Sequence, residues 1–143
     1  MHRLEASVAL GGRLLLAAIF VFEGWVKINN YSGVVTYMES YGVPGALLPL
    51  AIIAELGGGM AVAIGFLTRL AALGLGSFAV LTALFFHSDF GDPEQVIHFG
   101  KNLAIAGGFM MLLVHGPGSW SLDAWRSALL RRMRLHDSAA PPH

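Results

Sequence analysis

Residues 46–69 read ALLPLAIIAELGGGMAVAIGFLTR, and this stretch decides the fold. It holds roughly twenty mostly apolar residues, enough for a helix that crosses a bilayer, with Glu55 as its one carboxylate. A carboxylate at that depth is costly unless it is neutral, paired or facing a polar cavity. Gly58 and Gly59 follow, at positions where a neighbouring helix can approach closely. The stretch therefore predicts a helical bundle that supplies a partner for Glu55.

The composition places the chain among membrane proteins. Of its 143 residues, 55% are hydrophobic and only 13% are charged, against about a quarter charged in a soluble domain. The net charge of zero offers no basic surface for nucleic acid. The chain has no cysteine, which excludes a dithiol relay, a structural disulfide and a thiolate-held metal or iron–sulfur cluster.

Four apolar segments predict a single all-α membrane domain over residues 1–143. The spans are predicted at about 8–28, 46–67, 70–87 and 98–115. The first span resembles a signal peptide because it follows a basic start. It is too long for one, however, and no small-residue cleavage site follows it, so we predict a helix that is not cleaved.

Two more segments predict amphipathic helices at the membrane surface. Ser32–Tyr41 is too short to cross the bilayer, and Ser121–Leu135 combines an apolar side with a basic face. A solvated basic tail is the alternative for the part beyond Arg131. Residues 138–143 are predicted to be disordered.

The distribution of arginine predicts the orientation. Four spans place both termini on one side, and that side also carries Arg3, Arg69 and the C-terminal arginines. The two loops on the other side contain acids but no lysine or arginine. The positive-inside rule therefore predicts that both termini lie in the cytoplasm.

This topology places several polar side chains in the outer half of the bundle, near the periplasm: Glu23, Lys27, Glu55, His87, His98, Lys101 and Asn102. Glu23 and Lys27 are four residues apart, which is the favourable spacing for a pair on one helix. Lys101 is then predicted to reach Glu55 from the fourth span. We predict a polar pocket open to the periplasm and roofed by residues 29–45 and 88–97.

Simpler interpretations stay open for these residues. Lys27 and Lys101 are close enough to the surface to reach water without any pocket. Glu55 and its partner can also be a structural ion pair that only fixes helix register. His87 and His98 are weak metal candidates at the rim, but their spacing matches no specific metal motif, and we predict no metal.

The motifs occur in this order along the chain: Gly12-Arg13, Gly24-x-x-Lys27, Glu55 with Gly58-Gly59, Gly65-Phe-Leu-Thr68-Arg69, His87, Lys101-Asn102, and Gly116-Pro117-Gly118 with Ser121-Leu-Asp123. Together they resemble the DoxX family over roughly residues 8–125, and its short proteobacterial inner-membrane members in particular. Glu23 departs from the pattern, because a small residue is expected there. We predict structural or topology-determining roles for Arg13, Arg69, Gly58, Gly59 and Asp123.

The resemblance implies a small four-helix protein of the bacterial inner membrane. The family takes its name from a subunit of a terminal quinol oxidase complex. It has relatives in thiosulfate:quinone oxidoreductase and in membrane-associated thiol and oxidative-stress complexes. A cysteine-based mechanism of any relative cannot operate in this chain, because it has no cysteine.

We therefore predict a redox-associated membrane component whose pocket engages a quinone or a similar small substrate. The substrate-binding residues would be Lys27, Lys101, Asn102 and His87, and Glu55 or Glu23 would transfer protons. The residues themselves indicate no cofactor; quinone comes from the resemblance. The alternative is a non-catalytic subunit in the lipid bilayer that docks and stabilises a membrane or peripheral redox protein. Whether the protein is an enzyme, and whether it forms a homo-oligomer, stays open.

Overall fold

The part of the protein that its computed structural model describes, residues 2–138, is helical with short connections. The elements in chain order are α1 (His2–Asn29), α2 (Tyr31–Ser40), a 3₁₀ turn (Gly45–Leu47), α3 (Leu48–Ile64), α4 (Thr68–Phe86), α5 (Pro93–His115) and α6 (Leu122–Ser138). Four of these helices are long and apolar enough to cross a bilayer: α1, α3 with its 3₁₀ turn, α4 and α5. The predicted all-α fold with four membrane-spanning helices is confirmed.

The turn between α3 and α4 lies earlier than predicted. Gly65 ends α3 in the left-handed conformation, with φ at 74°, which glycine adopts without steric cost. Thr68 already belongs to α4, so the turn is Gly65–Leu67 rather than Thr68-Arg69. Leu67 also has a positive φ, of 46°, which is uncommon for a residue with a side chain.

The helix α5 begins at Pro93 rather than at His98. The side chain of Asp92 accepts a hydrogen bond from the Glu94 N–H at 2.9 Å and so caps the helix. Pro93 fits the first turn, where a missing N–H costs nothing. Much of the segment predicted as an acidic loop is therefore helical.

The helices pack as two pairs, α1 with α3 and α4 with α5, and α3 lies against α4. The core lies where the pairs meet. The ring of Phe20 on α1 contacts Phe109 of α5 and Phe78 of α4 edge to face, with centroids 5.4 and 6.5 Å apart. Such ring pairs stabilise beyond the area that they bury. They hold the two pairs together.

Glycines set the distance between α1 and α3. A Cβ at Gly59 would lie 3.3 Å from the carbonyl oxygen of Ala17, and one at Gly24 would lie 2.8 Å from the side chain of Leu56. The two backbones therefore approach closely, as small residues permit in membrane bundles. Gly58 faces α4 instead, where the side chain of Leu75 lies 3.0 Å from a Cβ at that position.

The bundle has two distinct ends. At the α2 end, the rings of Tyr37 and Tyr41 lie 5.6 and 5.5 Å from that of Phe86, so α2 covers the end of α4. The opposite end, here called the Arg13 end, carries the α3–α4 turn. There the start of α6 is fixed by the Asp123 N–H, which donates to the Gly65 carbonyl at 2.8 Å.

The predicted surface helices correspond to α2 and α6, and their place at a membrane surface stays a prediction. The tail predicted to be disordered starts with Ser138, the last residue of α6, and otherwise lies outside the described residues. The N-terminal part of α1 and the start of α6 share the Arg13 end. Which compartment that end faces also stays a prediction.

Candidate functional site

Three charged side chains form a cluster between α1 and α3. The ammonium nitrogen of Lys27 lies 3.0 Å from Oε1 of Glu55 and 3.3 Å from Oε2 of Glu23. Glu55 is only 3% exposed. The side chains of Lys27 and Glu23 are 20% and 48% exposed. We call these three residues the charged triad.

The local sequence explains how the triad forms. Glu23 and Lys27 lie one helical turn apart on α1, with the acid first, which favours their pairing. Gly24 shares a helix face with Lys27 and brings that face against α3, since a Cβ there would lie 3.4 Å from the Cβ of Glu55. The close approach at Gly24 therefore places Lys27 beside Glu55.

The prediction that Lys101 pairs with Glu55 is wrong. Lys101 is exposed, and its ammonium nitrogen lies 3.2 Å from Nδ1 of His98 on its own helix. The physical reason is the packing order, because α5 packs on α4 while α3 turns Glu55 towards α1. Asn102 likewise stays on its own helix, where its amide donates to the His98 carbonyl at 3.0 Å.

The triad has two carboxylates for one ammonium group, so its charges do not balance when all three are ionised. Oε2 of Glu55 is buried and has no hydrogen-bond partner among the described residues. A buried oxygen in that state is costly, since it has lost its water without a replacement. A proton or a hydrogen-bond donor from a bound molecule at this oxygen would remove the cost. The triad can therefore take up a proton or a polar ligand.

The two histidines named from the sequence meet at the α2 end. The imidazole rings of His87 and His98 stack with centroids 5.0 Å apart, and Nδ1 of His87 lies 2.7 Å from Oε1 of Gln95. Across residues 2–138, no three His, Asp or Glu side chains are grouped as metal ligands. His87 is bound to Gln95 rather than brought to the triad.

Two cavities lie away from the triad. One of about 730 Å³ is at the Arg13 end, between the α3–α4 turn, the segment after α5, and α6. The other, of about 110 Å³, lies between α4 and α5 and is lined mostly by apolar residues. Neither is the periplasm-facing polar pocket predicted from the sequence.

The Arg13 end is held together by a buried arginine. Arg13 is 3% exposed and donates to three backbone carbonyls. Its Nε, Nη1 and Nη2 lie 3.2, 2.6 and 2.8 Å from the oxygens of Ala63, Pro117 and Trp120. We call this arrangement the Arg13 clasp. It joins α1 to the end of α3 and to the segment between α5 and α6.

Asp123 fixes the α3–α4 turn next to the clasp. Its carboxylate accepts hydrogen bonds from the N–H of Leu67 at 3.0 Å, and from the N–H and hydroxyl of Thr68 at 2.9 and 2.8 Å. Burial by itself would raise the pKa of Asp123. The hydrogen bonds from Thr68 and Leu67, with the charge of Arg126, outweigh burial and lower that pKa below its ordinary value. The ionised carboxylate is thus the form that holds the turn.

Asp123→Asn is expected to lower the stability by about 1–2 kcal/mol at neutral pH, because the amide NH₂ group would face an N–H donor and leave it without an acceptor. A carboxyl with a lowered folded-state pKa stabilises fully above the unfolded-state pKa of about 3.9, and loses this contribution as the pH falls through the folded value. The difference in melting temperature between the wild type and the variant should therefore be constant above about pH 5 and shrink below about pH 4. Thermal unfolding in detergent across this pH range measures it.

Asp92→Asn is the matched control. Asp92 also caps a helix, but asparagine is an equally good cap for a single N–H, so this variant should change the stability little. Equal losses in the two variants would contradict the role assigned to Asp123. So would a difference for Asp123→Asn that does not depend on pH.

Four spanning helices, with an ion pair buried between two of them, define an integral membrane protein of the helical, multi-span class. The profile of the DoxX family matches residues 8–88, and the chain belongs to this family. It is similar to the inner membrane protein YqjF of Escherichia coli K12, at 47% identity over 123 residues, 86% of this chain and 95% of that protein. The similarity to the inner membrane protein YphA of the same organism is 34% over 118 residues, 78% of this chain and 84% of that protein. No solved structure matches the chain.

The family and both relatives confirm the resemblance seen in the sequence. They also confirm the predicted location, and the chain is an integral protein of the bacterial inner membrane.

Proposed function

We propose that the protein is a redox-associated component of the inner membrane whose charged triad binds the polar head of a quinone or a similar small substrate. One observation carries this proposal, the buried oxygen Oε2 of Glu55, which has no hydrogen-bond partner among the described residues. A quinol hydroxyl is a donor of the right kind for this oxygen. A head group dissolved in the bilayer would approach from the side of Glu23 and Lys27, whose side chains are 48% and 20% exposed, and would have to displace neighbouring side chains to reach this oxygen.

The triad offers complementary groups to both redox forms of such a substrate. The ammonium of Lys27 has three N–H donors and lies within 3.3 Å of two carboxylate oxygens, which leaves one donor for a quinone carbonyl oxygen. Oxidation of a quinol releases two protons and two electrons. Glu55 would accept a proton and half-exposed Glu23 would pass one outwards, while the electrons would go to a partner redox protein.

Binding of a short-chain ubiquinone, oxidised and reduced, to the full-length protein in lipid nanodiscs tests the proposal. We expect saturable quenching of tryptophan fluorescence, with an affinity for the reduced form that Glu55→Gln lowers by about tenfold or more. Lys101→Gln is the control, since Lys101 lies outside the triad, and should change the affinity less than about twofold. Far-ultraviolet circular dichroism confirms that each variant is folded. No saturable binding to the wild type, or equal effects of the two variants, would overturn the proposal.

A second candidate function is a non-catalytic subunit that docks and stabilises a partner complex. It is favoured by the Lys27–Glu55 pair itself, which joins α1 to α3 without any ligand. For this function, a partner that is purified with the protein should be retained by Glu55→Gln and lost when residues 121–143 are removed. Retention of the partner together with quinone binding that is lost in Glu55→Gln would favour the first function.

A further inference from the structure

The cavity at the Arg13 end is independent of the charged triad and has its own chemistry. Its volume is about 730 Å³, and its walls come from the start of α4, from the segment after α5 and from one side of α6. It lies where two spanning helices end, since α4 begins at Thr68 and α5 ends at His115. The ends of spanning helices lie at the level of the lipid head groups. The cavity therefore opens where a head group would be found.

Three arginines line this cavity from two different elements, Arg69 on α4 and Arg126 and Arg131 on α6. Arg69 donates Nη2 to the Val114 carbonyl at 3.2 Å, and Arg131 donates Nε to the Ser127 carbonyl at 3.3 Å. A guanidinium group has five N–H donors, so each of these two keeps donors for a ligand. The wall is strongly cationic.

The one carboxylate among the residues that line this cavity is already engaged. Asp123 accepts hydrogen bonds from Leu67 and Thr68 and holds the α3–α4 turn. It cannot pair with all three arginines at once. The cavity therefore has a surplus of positive charge that suits an anion with several acceptor oxygens.

The rim of the cavity is apolar. The side chains of Leu67, Leu70 and Leu130 line it and are 46%, 66% and 43% exposed. Leu67 has a positive φ of 46°, and its N–H donates to the carboxylate of Asp123 at 3.0 Å. A small soluble anion would leave these leucines exposed to water, whereas the acyl chains of a lipid would cover them.

We infer that this cavity binds the phosphate head group of an anionic phospholipid. Arg69, Arg126 and Arg131 hold the phosphate oxygens through paired N–H groups, which is the geometry in which guanidinium recognises phosphate. The acyl chains lie against Leu70 and Leu130. Bound in this way, the lipid ties α6 to the end of α4. This differs from the general attraction of a basic helix to an anionic surface, because only arginines that line the cavity take part.

The chain offers a matched test of this difference on a single helix. Arg126 and Arg131 line the cavity, whereas Arg132 and Arg134 of the same helix do not. R126Q/R131Q and R132Q/R134Q remove equal charge. The full-length protein in phosphatidylcholine nanodiscs is titrated with phosphatidylglycerol, and native mass spectrometry counts the bound lipids. We expect R126Q/R131Q to weaken phosphatidylglycerol binding by about tenfold or more, and R132Q/R134Q by less than about threefold.

R126Q/R131Q would also lose the lipid if it detached α6 from the bundle, so a third variant that keeps the α6 arginines is needed. Arg69→Gln leaves both α6 arginines in place, and we expect it to weaken phosphatidylglycerol binding by about fivefold or more. Unchanged binding in Arg69→Gln would overturn the inference. Equal losses in the two double variants would do the same, since they would show a diffuse surface field. If inorganic phosphate raised the melting temperature as much as phosphatidylglycerol does, the ligand of this cavity would be a soluble anion and not a lipid.

Discussion

Lys27→Met is expected to lower the free energy of unfolding by about 3–5 kcal/mol, because it leaves Glu55 buried without its cationic partner. Glu55 is 3% exposed and its short side chain cannot reach water. The double variant Lys27→Met/Glu55→Leu should recover most of the loss, since an apolar pair of similar volume often replaces a buried ion pair at little cost. Unfolding by a denaturing detergent in mixed micelles measures all three proteins.

Two single variants serve as controls for this cycle. Lys101→Met makes the same substitution at an exposed lysine outside the triad and should change the stability by less than about 0.5 kcal/mol. Glu23→Gln removes the half-exposed partner of Lys27 and should cost less than about 1 kcal/mol. If Lys27→Met cost no more than Lys101→Met, Lys27 would not be the partner of Glu55. A double variant as unstable as Lys27→Met would show that the lost energy is packing rather than charge.

Arg13→Met is expected to cost about 3 kcal/mol or more, because hydrogen bonds from a charged group are each worth about 1.5–3 kcal/mol and the clasp contains three. Arg13→Lys should recover less than half of this loss. A lysine ammonium is a compact group that cannot spread its donors as a planar guanidinium does. Arg13→Met should also expose the turn at residues 116–121, so that a protease cleaves this turn faster than in the wild type.

Arg3→Met is the control on the same helix. Arg3 is exposed, and its loss should change the stability by less than about 0.5 kcal/mol, with no change in cleavage at residues 116–121. A loss for Arg13→Met no larger than that of Arg3→Met would refute the clasp as a source of stability. A large loss without faster cleavage would place its effect within α1 rather than at the turn.

The fold was largely predictable because a bilayer imposes strong rules on sequence. The number and order of the spans follow from the lengths of the apolar stretches, because an apolar stretch that crosses the bilayer has to satisfy its backbone hydrogen bonds as a helix. The sequence predicts the start of α5 too late because Asp89, Asp92 and Glu94 together are typical of a polar loop. Asp92 followed by Pro93 is nevertheless a sequence signal for the start of a helix. In the structure, the side chain of Asp92 caps α5 by accepting a hydrogen bond from the Glu94 N–H.

The site was less predictable because it depends on which helices are neighbours. From the sequence, Lys27 and Lys101 are both expected in the outer half of the bundle. Their depth in the membrane therefore does not show which of them pairs with Glu55. The pairing follows from the close contact at Gly24, and the motif Gly24-x-x-Lys27 is the sequence signal for it, since the two residues share a helix face. Arg13 is harder still, since its acceptors are backbone carbonyls and carry no sequence signal.

The clasp also has a consequence for biogenesis. Arg13 enters the membrane with the first span, but the carbonyl of Trp120 lies 107 residues further along the chain. A nascent chain therefore holds an arginine that lacks two of its three acceptors until residues 117–120, just after the last span, have been translated. Closing the clasp is therefore a late event in synthesis, and a chain truncated after α5 lacks two of its three acceptors.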